Sequence, residues 1–157
     1  MSGYLISFLI SMIPLIELRG GMLYATLEAG IPYLPALLIC AVGNLLPVPF
    51  IYFFARKILV WGSDKKYIGK FFTFCLEKGE RAGQKLVKKT GRGGLFLALL
   101  LFVGIPIPGT GAWSGVLAAS LLNMGFKSTV ASVTLGVIMA GTIMAALSAA
   151  GLHIFGL

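Results

Sequence analysis

Two charged residues, Glu17 and Arg19, lie within an otherwise apolar stretch of the sequence. A charge inside a bilayer is unfavourable unless it is paired or hydrated, so such residues mark a candidate functional site. Side chains two positions apart on a continuous helix point about 200° apart, and both can face one cavity only where the helix is broken. We expect Pro14, Gly20 and Gly21, which surround the pair, to break the helix there.

A second break follows in the run Gly104-Ile-Pro-Ile-Pro-Gly-Thr-Gly111. Helices that begin near Gly20 and Gly111 would each present free N–H groups and a positive dipole end. Together with Arg19 they favour an anion such as a phosphate or a carboxylate. Further donors and an aromatic wall come from residues beside the second break: Thr110, Trp113 and Ser114.

The sequence leaves alternatives open for these polar residues. Glu17 either titrates and couples proton movement to substrate movement, or binds a cationic substrate directly, or pairs with Arg19 as a structural brace. Asn44, near the middle of the next apolar segment, either hydrogen-bonds the two breaks or joins neighbouring helices.

The composition excludes a small soluble enzyme. Of the 157 residues, 58% are hydrophobic and 11% are charged, whereas soluble domains carry roughly 25% charged residues. The sequence contains no Ser-His-Asp set, nucleotide-binding motif or metal-ligand cluster. We therefore predict an integral membrane protein with no enzymatic activity, no cofactor and no metal.

Positive charge is concentrated in residues 56–92, where 11 Lys and Arg residues face 3 Asp and Glu residues, a net charge of +8. Such an excess is typical of a cytoplasmic loop that lies against anionic lipid. Apolar residues recur within it at helical spacing, which predicts a basic amphipathic helix on the membrane surface. We expect this segment to contact the bilayer and no nucleic acid.

Four apolar segments cover residues 4–27, 31–55, 94–122 and 126–152. The second and fourth are long enough to span the hydrocarbon core, which needs about 20 residues. The first and third are either kinked spanning helices or re-entrant hairpins. Legs of about 15 and 18 Å on either side of each break, roughly half a bilayer, favour the hairpins.

An internal repeat supports the hairpin interpretation. A shift of 94 residues aligns Pro14 with Pro108 and Gly21 with Gly115. With the basic segment in the cytoplasm, one hairpin enters from each side, and inverted repeats with broken helices are a transporter architecture.

The predicted fold is therefore an all-α integral membrane protein with two inverted repeats, each a re-entrant helical hairpin followed by a transmembrane helix. The chain forms one membrane domain, 1–157. It divides into repeat one at 1–55, the basic cytoplasmic linker at 56–92 and repeat two at 93–157.

The motifs Pro14-Leu-Ile-Glu-Leu-Arg-Gly-Gly21 and Gly104-Ile-Pro-Ile-Pro-Gly-Thr-Gly-Ala-Trp113 resemble signatures of the putative small multidrug export protein family. These are short prokaryotic membrane proteins, so the resemblance implies a prokaryotic plasma membrane. That family is distantly similar to the DedA superfamily, which has opposed re-entrant hairpins and is associated with lipid scrambling and polyprenyl-phosphate recycling. The resemblance implies that Glu17 and Arg19 lie at one hairpin tip, and Pro108 and Gly109 at the other.

The function expected from these observations is secondary transport or export, linked to protons, with a midplane substrate site between the two tips. The substrate would be a small amphipathic molecule. One alternative is a flippase or scramblase for an anionic lipid such as a polyprenyl phosphate, and another is a structural membrane protein without transport. Two transmembrane helices can line only a small part of a transport pathway, so we expect a homo-oligomer, most simply a dimer.

Overall fold

The computed structural model describes residues 2–107 and 109–149, and all secondary structure in this part of the chain is helical. The predicted all-α class is thereby confirmed for these residues. A π-helical turn, Tyr24–Glu28, extends the second helix. In chain order the α-helices are α1 Ser2–Met12, α2 Glu17–Leu23, α3 Tyr33–Leu45, α4 Val48–Ser63, α5 Gly69–Gly104, α6 Ala112–Leu121 and α7 Phe126–Ala149.

Two stretches are long and apolar enough to cross a membrane, Tyr33–Ser63 with 31 residues and Phe126–Leu147 with 22 residues. The first comprises α3 and α4, which meet at a turn over Leu46 and Pro47. A proline has no N–H to donate to the preceding helical turn, which explains the interruption. The spans agree with the second and fourth predicted segments, although residues 150–152 of the fourth lie outside the described residues.

The first break lies earlier in the chain than the sequence predicted. Residues 13–16 form the turn between α1 and α2, and the helix resumes at Glu17. Leu15 (φ 71°) and Glu17 (φ 52°) adopt the left-handed conformation that L residues avoid. Gly20 and Gly21 therefore lie inside α2 and do not break it.

Close packing explains why these two positions are glycine. A Cβ atom at Gly20 would lie 2.1 Å from Cγ2 of Ile16, and one at Gly21 would lie 1.8 Å from Oγ of Ser11. Since van der Waals contact needs well over 3 Å, neither site tolerates a larger residue without movement. The glycines thus allow α2 to fold back closely against the turn and α1.

The second break follows the same order of elements. Helix α5 departs from helical geometry at Gly91 (φ 73°), which separates the basic part of α5 from its apolar part. The chain leaves α5 after Gly104, passes through Gly109 (φ 86°) and begins α6 at Ala112. A short helical stretch (α1, or the apolar part of α5 after Gly91), a turn, a short helix and a long apolar stretch thus occur twice. That each pair is re-entrant, and that the units are inverted, stay predictions.

The short helices lie against the long helices in corresponding ways. Ser7 and Phe8 of α1 contact Cys40 and Gly43 of α3 through their carbonyl oxygens. In the second unit, the Ser132 hydroxyl of α7 donates a hydrogen bond of 2.7 Å to the carbonyl of Phe96 in α5. Residue numbers increase together along both contacts, so each first short helix runs parallel to the long helix of its unit.

The polar and apolar residues are distributed as expected for a membrane protein. Several buried side chains are polar, among them Ser7, Ser11, Thr129 and Ser132. Many large apolar side chains are instead exposed, including Leu38, Val42, Phe50, Phe54, Leu135 and Ile138 on the two long stretches. Contiguous apolar surface of this extent is not stable in water, and lipid is the solvent that suits it.

The basic segment begins within a helix that starts in the apolar region, because α4 continues to Ser63. After a turn, α5 folds back so that Phe72 contacts Gly62. Cβ atoms at Gly79 and Gly83 would lie 2.4 and 2.3 Å from the carbonyl oxygens of Leu121 and Leu122. These glycines let α5 pack directly on the end of α6.

Candidate functional site

The Glu17 carboxylate caps the start of α6. It is 6% exposed and accepts a hydrogen bond of 3.0 Å from the backbone N–H of Trp113. A Cβ atom at Gly111 would lie 1.6 Å from Oε2 of Glu17, so only glycine leaves room for the carboxylate. The first N–H groups of a helix have no partner within the helix and carry a positive partial charge, which favours an anionic group there.

The Arg19 guanidinium holds the loop that precedes α6. It donates hydrogen bonds to the carbonyl oxygens of Ile107 and Thr110, and a further one of 3.2 Å to the Thr110 hydroxyl oxygen. Ile105, whose carbonyl lies 3.4 Å from Nη2, completes this set of acceptors. Arg19 is suited to this role because its planar guanidinium presents five donors in a fixed arrangement.

Glu17 and Arg19, both within the described residues, form no salt bridge with each other. Each instead binds the backbone groups of the opposite break. Glu17 accepts from the N–H end of α6, and Arg19 donates to carbonyls between α5 and α6. We call this arrangement the tip junction, defined by Glu17, Arg19 and residues 105–107 and 109–113. It differs from the ion-paired brace that was one sequence-based alternative.

A cavity of about 10 Å³ lies behind the tip junction, room for about one water molecule. Asn44 lines it, is 2% exposed, and its side-chain oxygen accepts no hydrogen bond from the described residues. An unpaired buried amide oxygen is unfavourable by about 1–3 kcal/mol. The cavity is lined further by Glu17, Arg19, Val103, Ala112, Val137 and Ala140.

The other predicted site residues have separate roles. The Thr110 hydroxyl donates to carbonyls of its own loop, with a bond of 2.8 Å to Ile107, and the Ser114 hydroxyl accepts a bond of 3.0 Å from the N–H of Gly111. The indole N–H of Trp113 is buried without a partner in the described part of the chain. Gly109 supplies the left-handed turn, and Pro108 lies outside the described residues.

Sequence reasoning missed the acceptors that Arg19 uses. They include the carbonyls of Ile105 and Ile107, and a signal for these two exists in the alternation Ile105-Pro-Ile-Pro. Prolines end a helix, so these carbonyls lie outside a helix and accept from Arg19 in addition to Thr110.

The fold and the tip junction together define a small helical membrane protein with two interrupted helix pairs whose breaks meet. The sequence model of the family described as "putative small multi-drug export protein" matches residues 17–143. This match covers most of the chain, from Glu17 at the tip junction to the middle of α7, so the chain belongs to that family. The family description names export, which is a transport activity rather than an enzymatic one. No curated protein and no solved structure gives a significant match.

Proposed function

We propose that this protein is a secondary transporter whose substrate site is the tip junction, halfway across the membrane. The observation that carries the proposal is that both charged side chains of the first break bind backbone groups of the second break. The Glu17 carboxylate occupies the N–H end of α6, and Arg19 holds the carbonyls of Ile107 and Thr110. Broken helices that offer such backbone groups at mid-depth are where transporters bind their substrates.

The directions of the helices support re-entrant, inverted hairpins. Because α1 lies parallel to the start of α3, α2 must run back toward the side from which α1 came. The apolar part of α5 lies parallel to the start of α7 in the same way. Tyr33 donates to the carbonyl of Gly141, and Tyr52 donates a bond of 2.5 Å to the carbonyl of Met124. These contacts make α3–α4 antiparallel to α7, so the two hairpins enter from opposite sides.

The tip junction as described is the closed state of this transporter, because the cavity behind it holds about one water molecule. Glu17 occupies the position that a substrate anion would take at the start of α6. Protonation of Glu17 weakens its hydrogen bond with the N–H of Trp113 and frees that group for an anionic substrate, beside the positive charge of Arg19. Loss of the proton returns Glu17 to α6 and expels the substrate, which couples transport to protons.

A lipid flippase is the second candidate, and the exposed edge of the tip junction favours it. Leu15, Ile16, Ile105 and Ile107 at the two turns are 85%, 43%, 43% and 53% exposed. In a bilayer this apolar edge would open sideways to lipid, so that a phosphate headgroup could reach Arg19 while its chains remain in the hydrocarbon. A polyprenyl phosphate is the type of substrate that suits this path.

The decisive experiment reconstitutes the full chain in vesicles and measures both efflux of an anionic amphipathic dye and flipping of a labelled anionic lipid. Glu17→Ala and Arg19→Ala should each abolish the transport activity found in the wild type, with normal insertion. The matched controls are Glu28→Ala and Arg92→Ala, which remove exposed charges and should leave activity unchanged.

The two measured activities separate the candidates. Dye efflux without lipid flipping supports the exporter, and lipid flipping alone supports the flippase. If both alanine variants retain full activity, or if the exchange Glu17→Arg with Arg19→Glu does, the pair is only a brace and the proposed site is wrong.

We also propose that two copies form the transport unit, since the described part of each chain offers only two spans. Crosslinking in native membranes should give a dimer, and finding only monomer would contradict this.

A further inference from the structure

The end of α4 and the start of α5 carry exposed aromatic residues that the proposed transport site does not use. Four such side chains are between 58% and 94% exposed. Large aromatic side chains normally contribute most by being buried, so this cluster on a water-facing surface would be unfavourable. We call the surface the aromatic–lysine patch and define it by Trp61, Lys65, Tyr67, Lys70, Phe71 and Phe74.

Lysines lie directly beside these rings. The Lys65 ammonium is 4.4 Å from the ring centroid of Trp61, and the Lys78 ammonium is 5.5 Å from that of Phe74. An open cleft of about 410 Å³ between the two helices is lined by Lys65, Lys66 and Lys70 together with Ser63, Thr73 and Glu77. Glu77 pairs with Arg81 at 3.7 Å, so the lysines of the cleft keep a surplus of positive charge.

The same face of α5 continues as a basic stripe. Phe71 and Phe74 are followed at helical spacing by Lys78, Arg81 and Lys85, and all five are exposed. The opposite face packs on the protein through Gly79 and Gly83. The stripe is therefore the side of α5 that its own chain leaves uncovered.

We propose that the aromatic–lysine patch binds the headgroup phosphates of anionic phospholipids in the surrounding bilayer and anchors α5 at the membrane surface. Charge complementarity supports this partner, because lysines bind phosphate and are attracted to anionic leaflets. Trp and Tyr prefer the headgroup region, and Phe inserts at its boundary with the acyl chains. The exposed apolar face of α4, with Phe50 and Phe54, runs up to Trp61, so the patch continues the surface that lipid covers.

Fluorescence of Trp61 tests this inference in the full chain independently of transport. The Trp113→Phe variant leaves Trp61 as the sole tryptophan. It is reconstituted in mixed phosphatidylcholine–phosphatidylglycerol vesicles in which the acyl chains of one lipid or the other carry bromine, a quencher. We expect markedly stronger quenching when the phosphatidylglycerol is brominated. If this variant does not insert, the difference between the wild type and Trp61→Phe isolates the same signal.

Matched variants assign the effect to the lysines. Lys65→Gln with Lys70→Gln should reduce the preference for phosphatidylglycerol several-fold, whereas Lys88→Gln with Lys89→Gln, the same change of charge at exposed positions farther along α5, should retain it. Equal quenching by both lipids overturns the proposal. So does an unquenched Trp61 that is open to aqueous iodide, the result expected if the patch binds a soluble partner such as a nucleic acid.

Discussion

The Glu17 carboxylate accepts a hydrogen bond from the backbone N–H of Trp113, a residue 96 positions farther along the chain. The bond joins the turn of the first helix pair to the start of α6 in the second. Arg19 makes the complementary contact with the carbonyls before α6. The N–H of Trp113 at the start of α6 has no partner within its own helix, and the first break supplies the carboxylate that binds it. These contacts therefore join the two helix pairs at their breaks.

Replacing Gly111 by alanine should disrupt this junction. Its Cβ would lie 1.6 Å from Oε2 of Glu17, so the carboxylate must move away from α6. We expect a loss of stability of about 1–3 kcal/mol, measured by thermal unfolding in detergent or lipid. Gly125→Ala is the control, since a Cβ there meets nothing within 4 Å.

A double variant tests the cause of that loss. In a Glu17→Ala background the clash is gone, so Gly111→Ala should be much less destabilising than in the wild type. Equal losses in both backgrounds would show that Glu17 does not occupy the position described.

Replacing Arg19 by lysine should weaken the junction although the charge is kept. An ammonium group cannot reach the carbonyls of Ile107 and Thr110 with the fixed geometry of a guanidinium. We expect a loss of about 1–3 kcal/mol in stability and a strong loss of transport. Arg92→Lys at an exposed position is the control, and an Arg19→Lys protein with wild-type stability and activity would contradict the assigned contacts.

Replacing Gly79 by alanine tests the packing of the basic helix. In an open helix this change would stabilise by about 1 kcal/mol, but here the Cβ would lie 2.4 Å from the carbonyl oxygen of Leu121. This steric clash should outweigh the gain in helix propensity and loosen the packing of α5 on α6. Limited proteolysis between residues 64 and 92 should therefore become faster. Gly93→Ala, with open space around the Cβ, should leave proteolysis unchanged or slower, and the same response in both variants would argue against the described packing.

The sequence was sufficient to predict the helical class and the position of the two long apolar stretches. These features depend on local properties, since hydropathy and helix-breaking residues act over a few neighbouring positions.

The partners of Glu17 and Arg19 were not predictable, because they are backbone groups almost a hundred residues away. A backbone N–H has no signature in the sequence, and only the folded chain brings it to a carboxylate. Gly20 and Gly21 illustrate the same limit. Their sequence position suggested flexibility, but contacts with Ile16 and Ser11 show that they are needed for close packing.

Labelling of introduced cysteines should reveal the topology. In a Cys75→Ser background, Ser2→Cys should react with an impermeant reagent from outside the cell, and Gly125→Cys only after the membrane is opened. Two re-entrant pairs and two spans require this pattern, whereas four full spans place position 2 inside and position 125 outside. Native Cys40 is buried and is the internal control for background labelling.

Asn44→Leu separates a binding role of Asn44 from a structural one. Leucine has the same branched outline as asparagine, with two methyl groups in place of the amide oxygen and nitrogen, and it removes an amide oxygen that is buried without a partner. Such a change is neutral or stabilising when the polar group serves only the fold. We expect the thermal stability to be equal to or higher than that of the wild type, and transport to fall at least about tenfold, the factor that corresponds to about 1.4 kcal/mol.

Asn123→Leu, which removes an amide that binds Arg56 away from the junction, should instead lower stability and leave transport intact. An Asn44→Leu protein that is stable and fully active would remove Asn44 from the substrate pathway.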